Sequence, residues 1–133
     1  MSSFHIFNVA GSALSAQNVR LNTVASNLAN ANTVAGSEAE AYRARQPVFR
    51  TTPAAEGVAG VQVDYIAQSE TAPEKTYQPG HPQADAEGYI YSANVNVVEE
   101  MANMISAARS YRSNLELMNT AKDLMLRTLN VGR

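Results

Sequence analysis

The last third of the chain constrains the fold most. Taken in alternating steps of four and three, Val97, Met101, Met104, Ala108, Tyr111, Leu115, Met118, Lys122, Met125 and Leu129 form one row in which only Lys122 is not apolar or largely apolar. A row sustained over that length predicts one long helix from Asn96 to Val131 with a coiled-coil-like face. At about 1.5 Å per residue such a helix reaches roughly 50 Å. It cannot cover its own seam, so other elements must.

The first thirty residues repeat the pattern. Phe7, Ala10, Leu14, Gln17, Leu21, Val24, Leu28 and Ala31 fall at the same steps, with leucines seven apart at 14, 21 and 28. This predicts an amphipathic helix over Ser3–Asn30, ended by the Asn30-Ala31-Asn32-Thr33 run. Its other face is unusual. Between Met1 and Ser37 the only formal charge is Arg20, and the outward positions are Ser12, Ser15, Asn18, Asn22, Thr23, Ser26, Asn27 and Asn30. Exposed helix faces ordinarily carry Lys and Glu. Small uncharged polar groups suit a face packed against protein, where an unpaired charge would be costly. The plainer alternative is an Asn/Ser-rich surface helix.

Between the helices the pattern changes. Gly36–Glu40 reads as a loop. Tyr42–Phe49 reads as a short strand that Pro47 restricts to an edge, and Thr51–Gly60 reads as a loop holding Pro53, Gly57 and Gly60. Val61–Ile66 alternates as a strand, Glu70–Gly80 reads as extended chain, and Gly88–Tyr91 as a further short strand. Asn96, with Glu99 three residues on, marks the start of the last helix. The expected fold is mainly α. Long N- and C-terminal helices (1–33 and 96–133) pair as an antiparallel coiled-coil-like domain, and a small β-rich or extended arm (34–95) lies between them.

The chain of 133 residues suits one domain, and its net charge of −2 gives no reason to expect a nucleic-acid partner. There is no cysteine, which excludes disulfides and thiol chemistry. No run is long and apolar enough for a membrane span, and the N-terminus lacks a secretory pattern. A cytoplasmic location, or export without cleavage, is expected.

Catalytic constellations are not evident. His81, Asp85 and Glu87 can be drawn as a metal or acid–base set, but His81 has no histidine nearby. Pro79-Gly80-His81-Pro82 followed by Gly88-Tyr89 is better read as a backbone-shaping turn. No phosphate loop, Ser/His/Asp set or zinc-protease motif occurs. No enzyme activity, cofactor or metal is expected. The methionines at 101, 104, 118 and 125 are core or an adaptable partner surface.

Several stretches together resemble one family, the flagellar basal-body rod proteins. The first is Ala13-Leu14-Ser15-Ala16-Gln17 through Arg20-Leu21-Asn22 to Ala25-Ser26-Asn27-Leu28-Ala29-Asn30-Ala31-Asn32-Thr33. The second is Tyr42-Arg43 with Pro47-Val48-Phe49. The third is Pro79-Gly80-His81-Pro82, Asp85-Ala86-Glu87-Gly88-Tyr89 and Asn94-Val95-Asn96-Val97-Val98-Glu99-Glu100-Met101. It continues through Met104-Ile105-Ser106-Ala107 and Arg109-Ser110-Tyr111 to Asn114. The third is similar to the short proximal-rod type in particular, and the segment Val34–Ala41 looks like an insertion that this type carries.

The resemblance implies a structural subunit of the proximal rod, part of the axial drive shaft that transmits torque and surrounds the export channel. It implies export without cleavage by the flagellar type III apparatus, into a rod lying in the periplasmic space. The implied partners are other rod proteins, copies of itself in a helical assembly, the membrane-ring base and the export apparatus. No nucleic acid and no direct membrane insertion are implied. Leu14, Leu21, Val24, Leu28, Val97, Met101, Met104, Tyr111, Leu115, Met118, Met125 and Leu129 are then assembly or helix-seam residues. Pro79, Gly80, His81, Pro82, Gly88 and Tyr89 form a family-motif turn. The isolated subunit is expected to have partly disordered terminal helices that fold on assembly. The alternative is a cytoplasmic type III secretion chaperone or adaptor with a two-helix binding surface.

Overall fold

A computed structural model describes residues 3–55 and 57–132. Helix α1 spans Ser3–Asn30 and helix α2 spans Val97–Val131. Between them lie β1 (Val34–Ala35), β2 (Arg45–Ala55), β3 (Val58–Gln68), β4 (Glu74–Tyr77) and β5 (Tyr89–Ser92). The helices hold 28 and 35 residues, just under half of the chain. The two long terminal helices around a small β middle are as expected, while mainly α holds only roughly, because the strands take a larger share than was read. The reason is that much of 45–68, read as loop and short strands, is a β-ribbon.

Both helix ends are as local chemistry dictates. Asn30 Nδ2 donates to the Ser26 carbonyl at 2.9 Å, and Thr33 Oγ1 donates to the Asn30 carbonyl at 2.7 Å, closing the end of α1. Asn96 Oδ1 accepts from the amides of Val98 at 3.1 Å and Glu99 at 3.2 Å, capping α2.

Strands β2 and β3 pair as a two-stranded sheet, turning at Gly57, which has φ +73°. The tract Thr51–Gly60 is thus strand and turn rather than loop. Pro47 and Pro53 are tolerated because each ribbon strand has only one partner, leaving an edge where a missing N–H costs nothing. Arg50 meets Asp64 at 3.4 Å across the ribbon. Strands β1, β5 and β4 form a second sheet in that spatial order, antiparallel throughout, with Ala35 opposite Tyr91 and Lys75 opposite Tyr91 on its other side.

The chain forms two compact units. The first comprises Met1–Leu21, Pro47–Tyr65 and Ile105–Arg133; the second comprises Asn22–Gln46 and Ile66–Met104. The second has an ordinary small core of Val24, Ala41, Ile90 and Ala93. The first does not. Among its described residues the buried hydrophobic side chains are Ala10, Ala16, Ala107 and Ala121, while Ile105, Leu115, Leu117, Leu124, Leu126, Leu129 and Val131 are exposed.

The covered row on α2 also differs from the expected seam. Met104, Tyr111, Met118 and Met125 are half-buried. Four of the five alternate positions are displaced by one residue. Glu100, Ala107 and Ala121 are buried where Met101, Ala108 and Lys122 were read, and Asn114 is half-buried where Leu115 was read. Val97, Met101, Leu115 and Leu129 stand exposed on the isolated subunit. Small residues allow close approach of a neighbouring element, which a reading by side-chain size does not detect.

Candidate assembly surfaces and the Asn27 hub

Part of the uncharged face of α1, at Ser12 and Asn27, is covered by the chain's own middle segment. In the second unit, Asn27 is fully buried and is the largest side chain with that degree of burial. Its Nδ2 donates to the Arg45 carbonyl at 2.8 Å and to Glu100 Oε2 at 3.1 Å. Its Oδ1 accepts from the Arg45 amide at 3.0 Å and from the Tyr42 hydroxyl at 2.8 Å. The Tyr42 hydroxyl is also 3.2 Å from Ser26 Oγ. One amide thereby uses both donors and both lone pairs, joining α1, the segment entering β2 and the first turn of α2. A buried carboxylate such as Glu100, only 5% exposed, needs a hydrogen-bond donor, and Asn27 supplies it.

In the first unit the contact is smaller. Ser12 Oγ donates to the Val9 carbonyl at 2.7 Å and accepts the Val61 amide at 3.1 Å. Gly60 permits this approach, since a Cβ there would stand 2.9 Å from Ser12 Oγ. Asn8, Ser12, Ser15, Ala16 and Val19 of α1 line an uncharged groove against Thr52, Pro53 and 60–63 of the ribbon. Of the outward positions singled out on α1, Ser15, Asn18 and Asn22 remain exposed.

The motif around His81 shapes backbone. Asp85 Oδ1 accepts from the amides of Glu87 at 2.9 Å and Tyr89 at 2.8 Å, and Tyr91 donates to Oδ2 at 3.4 Å. The Tyr89 amide contributes most to holding the Asp85 carboxyl below its usual value, against the effect of partial burial; the Glu87 amide, Lys75 and Tyr91 add to the lowering. Gly88 has φ +86°, and a Cβ there would lie 2.9 Å from Tyr77 Cε2 and 3.0 Å from Pro79 Cβ. His81 Nδ1 accepts the Gln83 amide at 3.1 Å. Pro79, Gly80 and Pro82 are exposed, Tyr89 is half-buried, and Tyr77 and Tyr89 meet edge to face at 5.2 Å. Lys75 lies 4.1 Å from the centre of the Tyr89 ring.

Of the seam residues expected on α1, Val24 is buried and Leu14, Leu21 and Leu28 are half-buried. Asn27, Glu100, Ser12 and Gly60 were not singled out as site residues. Asn27 and Ser12 did belong to the uncharged face that signalled packing. Among the described residues no group of three or more His, Asp or Glu side chains stands close enough to hold a metal ion. Among the described residues no helix is long and apolar enough to cross a membrane.

A family described as flagella basal body rod protein matches residues 7–36. Another, the C-terminal region of flagellar basal body rod FlgEFG proteins, matches residues 86–131. Flagellar basal-body rod protein FlgC of Salmonella typhimurium is 50% identical, with all of both chains covered. The protein of that name from Yersinia enterocolitica is also 50% identical over the whole of both chains. That from Buchnera aphidicola subsp. Acyrthosiphon pisum is 40% identical, with 99% of each chain covered. Identity at this level over full length, with both helix-bearing ends matched, places the chain in the FlgC family of flagellar basal-body rod proteins.

Proposed function

We propose that this chain is a structural subunit of the proximal part of the flagellar rod, the axial shaft that transmits torque and surrounds the export channel. The observation that carries the reading beyond the family is the first unit. Among its described residues the buried apolar side chains are alanines, while large aliphatic residues of α2 stand exposed. A helix in that state is stabilised by burial in an assembly, since each large aliphatic side chain taken out of water contributes about 1.5–3 kcal/mol. The terminal helices pair in a coiled-coil-like inner domain in the assembled state, where Val97, Met101, Leu115 and Leu129 gain cover. Other rod proteins, further copies of this chain and the membrane-ring base are its neighbours, and the flagellar type III apparatus exports it uncleaved into the periplasmic rod.

A cytoplasmic secretion chaperone or adaptor is the competing reading. Such a module needs a charged, solvated outer face on its free helix, whereas that face of α1 carries no Lys or Glu and is engaged at Ser12 and Asn27 by the chain's own middle segment. Fractionation tests the choice. The chain is expected in isolated basal bodies, and recovery only in the soluble cytoplasm would overturn the reading. Circular dichroism of the isolated subunit is expected to show less helix than the 63 residues of α1 and α2 (28 plus 35) would give.

A further inference from the structure

Four of the chain's five prolines stand in or beside two edge strands: Pro47 and Pro53 in β2, and Pro73 and Pro79 on either side of β4. Each pair falls on one open edge. In β4 the Gln78 amide donates to the Gly88 carbonyl at 2.9 Å, continuing the register in which Thr76 faces Ile90 and Glu74 faces Ser92. Backbone groups alternate sides along an antiparallel strand. Those of 74, 76 and 78 therefore turn toward β5, and those of 73, 75, 77 and 79 turn to the open side. In β2 two anchors agree. Asn27 takes the amide and the carbonyl of Arg45 from outside the ribbon. Farther along, Arg50 meets Asp64 and Thr52 meets Gln62 across the ribbon, which sets Pro53 opposite Val61, and the Val61 amide leaves the ribbon for Ser12 Oγ. Both anchors put the odd-numbered residues from 45 to 53 on the outer edge.

Each edge thus keeps only two outward residues between its prolines, Phe49 and Thr51 on β2 and Lys75 and Tyr77 on β4. A strand laid along either edge meets a proline at both ends of that window. There it finds no N–H to accept and a ring in its way. Strands are ordinarily about 5–6 residues long, more than either window serves. Lys75 adds a charge to the β4 edge, a second obstacle to strand addition.

We propose that these four prolines guard the open edges, keeping a free subunit from adding a strand of a second copy to either sheet. The device acts on the chain before any assembly and does not depend on the rod reading. The competing account is that an open edge merely tolerates proline. The two differ in what replacement does: a tolerated proline can be exchanged for a strand-forming residue silently, whereas a guard cannot.

The test uses the purified full-length chain. Pro53→Thr and Pro79→Thr each restore an outward N–H at an exposed position, one in each sheet. Their urea midpoints are expected to match the parent, because an N–H facing water costs nothing. On incubation their sedimentable fraction and thioflavin T fluorescence are expected to rise severalfold. Thr51→Pro/Pro53→Thr has the parent's composition and keeps a proline on the same edge, and is expected to stay monomeric. Pro82→Thr, exposed in the turn before β5 and away from both edges, is also expected to stay monomeric. Should Pro53→Thr lower the urea midpoint, Pro79→Thr in the other sheet decides. Parent-like solubility of both Pro53→Thr and Pro79→Thr, a lowered midpoint in both, or sedimentation of Pro82→Thr or of the double variant to the same extent would overturn the proposal.

Discussion

Asn27 Nδ2 donates to Glu100 Oε2 at 3.1 Å, joining two helices through residues 73 positions apart, inside a site where neither side chain has appreciable solvent contact. Asn27→Ala removes that bond and leaves Arg45 and Tyr42 without their partners. The expected loss is about 3 kcal/mol, seen as an earlier midpoint in urea denaturation. Asn27→Asp is nearly the same shape and is expected to be no better. It still accepts from Arg45 and Tyr42, but it donates to neither Glu100 nor the Arg45 carbonyl and sets two carboxylates together.

Gly60 and Ser12 are expected to be coupled. Gly60→Ala places a methyl 2.9 Å from Ser12 Oγ and loosens the ribbon from α1. Adding Ser12→Ala removes the obstructing hydroxyl, so the double variant should be more stable than the sum of the single losses, by about 0.5–3 kcal/mol in a double-mutant cycle. The Ser12 Cβ lies 3.5 Å from a Cβ built at Gly60, within the span of a disulfide. Ser12→Cys/Gly60→Cys should therefore close within one chain on oxidation, seen as a faster-migrating monomer on a non-reducing gel.

Gly88→Ala forces a side chain into a left-handed backbone position and against Tyr77 and Pro79. A loss of about 1–3 kcal/mol is expected, with the largest chemical-shift changes at Tyr77 and Tyr89. Gly80→Ala, where a Cβ meets nothing within 4 Å, is expected to be mild by the same measurement.

The Asp85 turn should respond to acid. Its folded carboxyl is held below the ordinary value of 3.8, so its contribution is present above that value and is lost as the pH falls through the lower folded one. The amide resonances of Glu87 and Tyr89 should titrate in that acid window. Asp85→Asn should abolish the titration while retaining an oxygen that accepts the same amides. Lys75 works at the other end. Burial opposes its charge, but the Tyr91 hydrogen bond and the charges of Tyr91, Glu87 and Asp85 raise it above 10.5. Its contribution is complete below that value and is lost only as the pH rises through the higher folded one.

Leu124→Asp and Val24→Asp separate assembly from folding. Val24 is buried, so an unpaired carboxylate there should unfold the second unit and lower the amount of chain in cells. Leu124 is exposed, so the variant should accumulate normally yet be missing from basal bodies, read by immunoblot of both fractions.

What could be read from sequence was local. The bounds of α1, the Asn96 cap and the turn at Gly88 follow from side chains acting on their own backbone. The uncharged face of α1 suggested contact with protein, and Ser12 and Asn27 make such contacts within the chain while Ser15, Asn18 and Asn22 stay exposed. It did not say that Tyr42, Arg45 and Val61 of the same chain make that contact, because such pairings join distant residues. The α2 row was misplaced at alternate positions for a related reason. Leucine and methionine attract notice, whereas close approach needs Ala107 and Ala121, and the bulky residues turn outward. Pro53 and Gly57 resembled loop residues because a ribbon with one partner per strand tolerates what a central strand would not.

Asn27 offers Arg45 one acceptor and one donor, which is what an adjacent strand would offer at that residue. At its first residue β2 therefore has a helix side chain standing in for a strand. A ribbon edge left open there would be a template for another ribbon. Asn27 closes that edge at the base of the hairpin, because the Arg45 amide and carbonyl that a further strand would need are already taken.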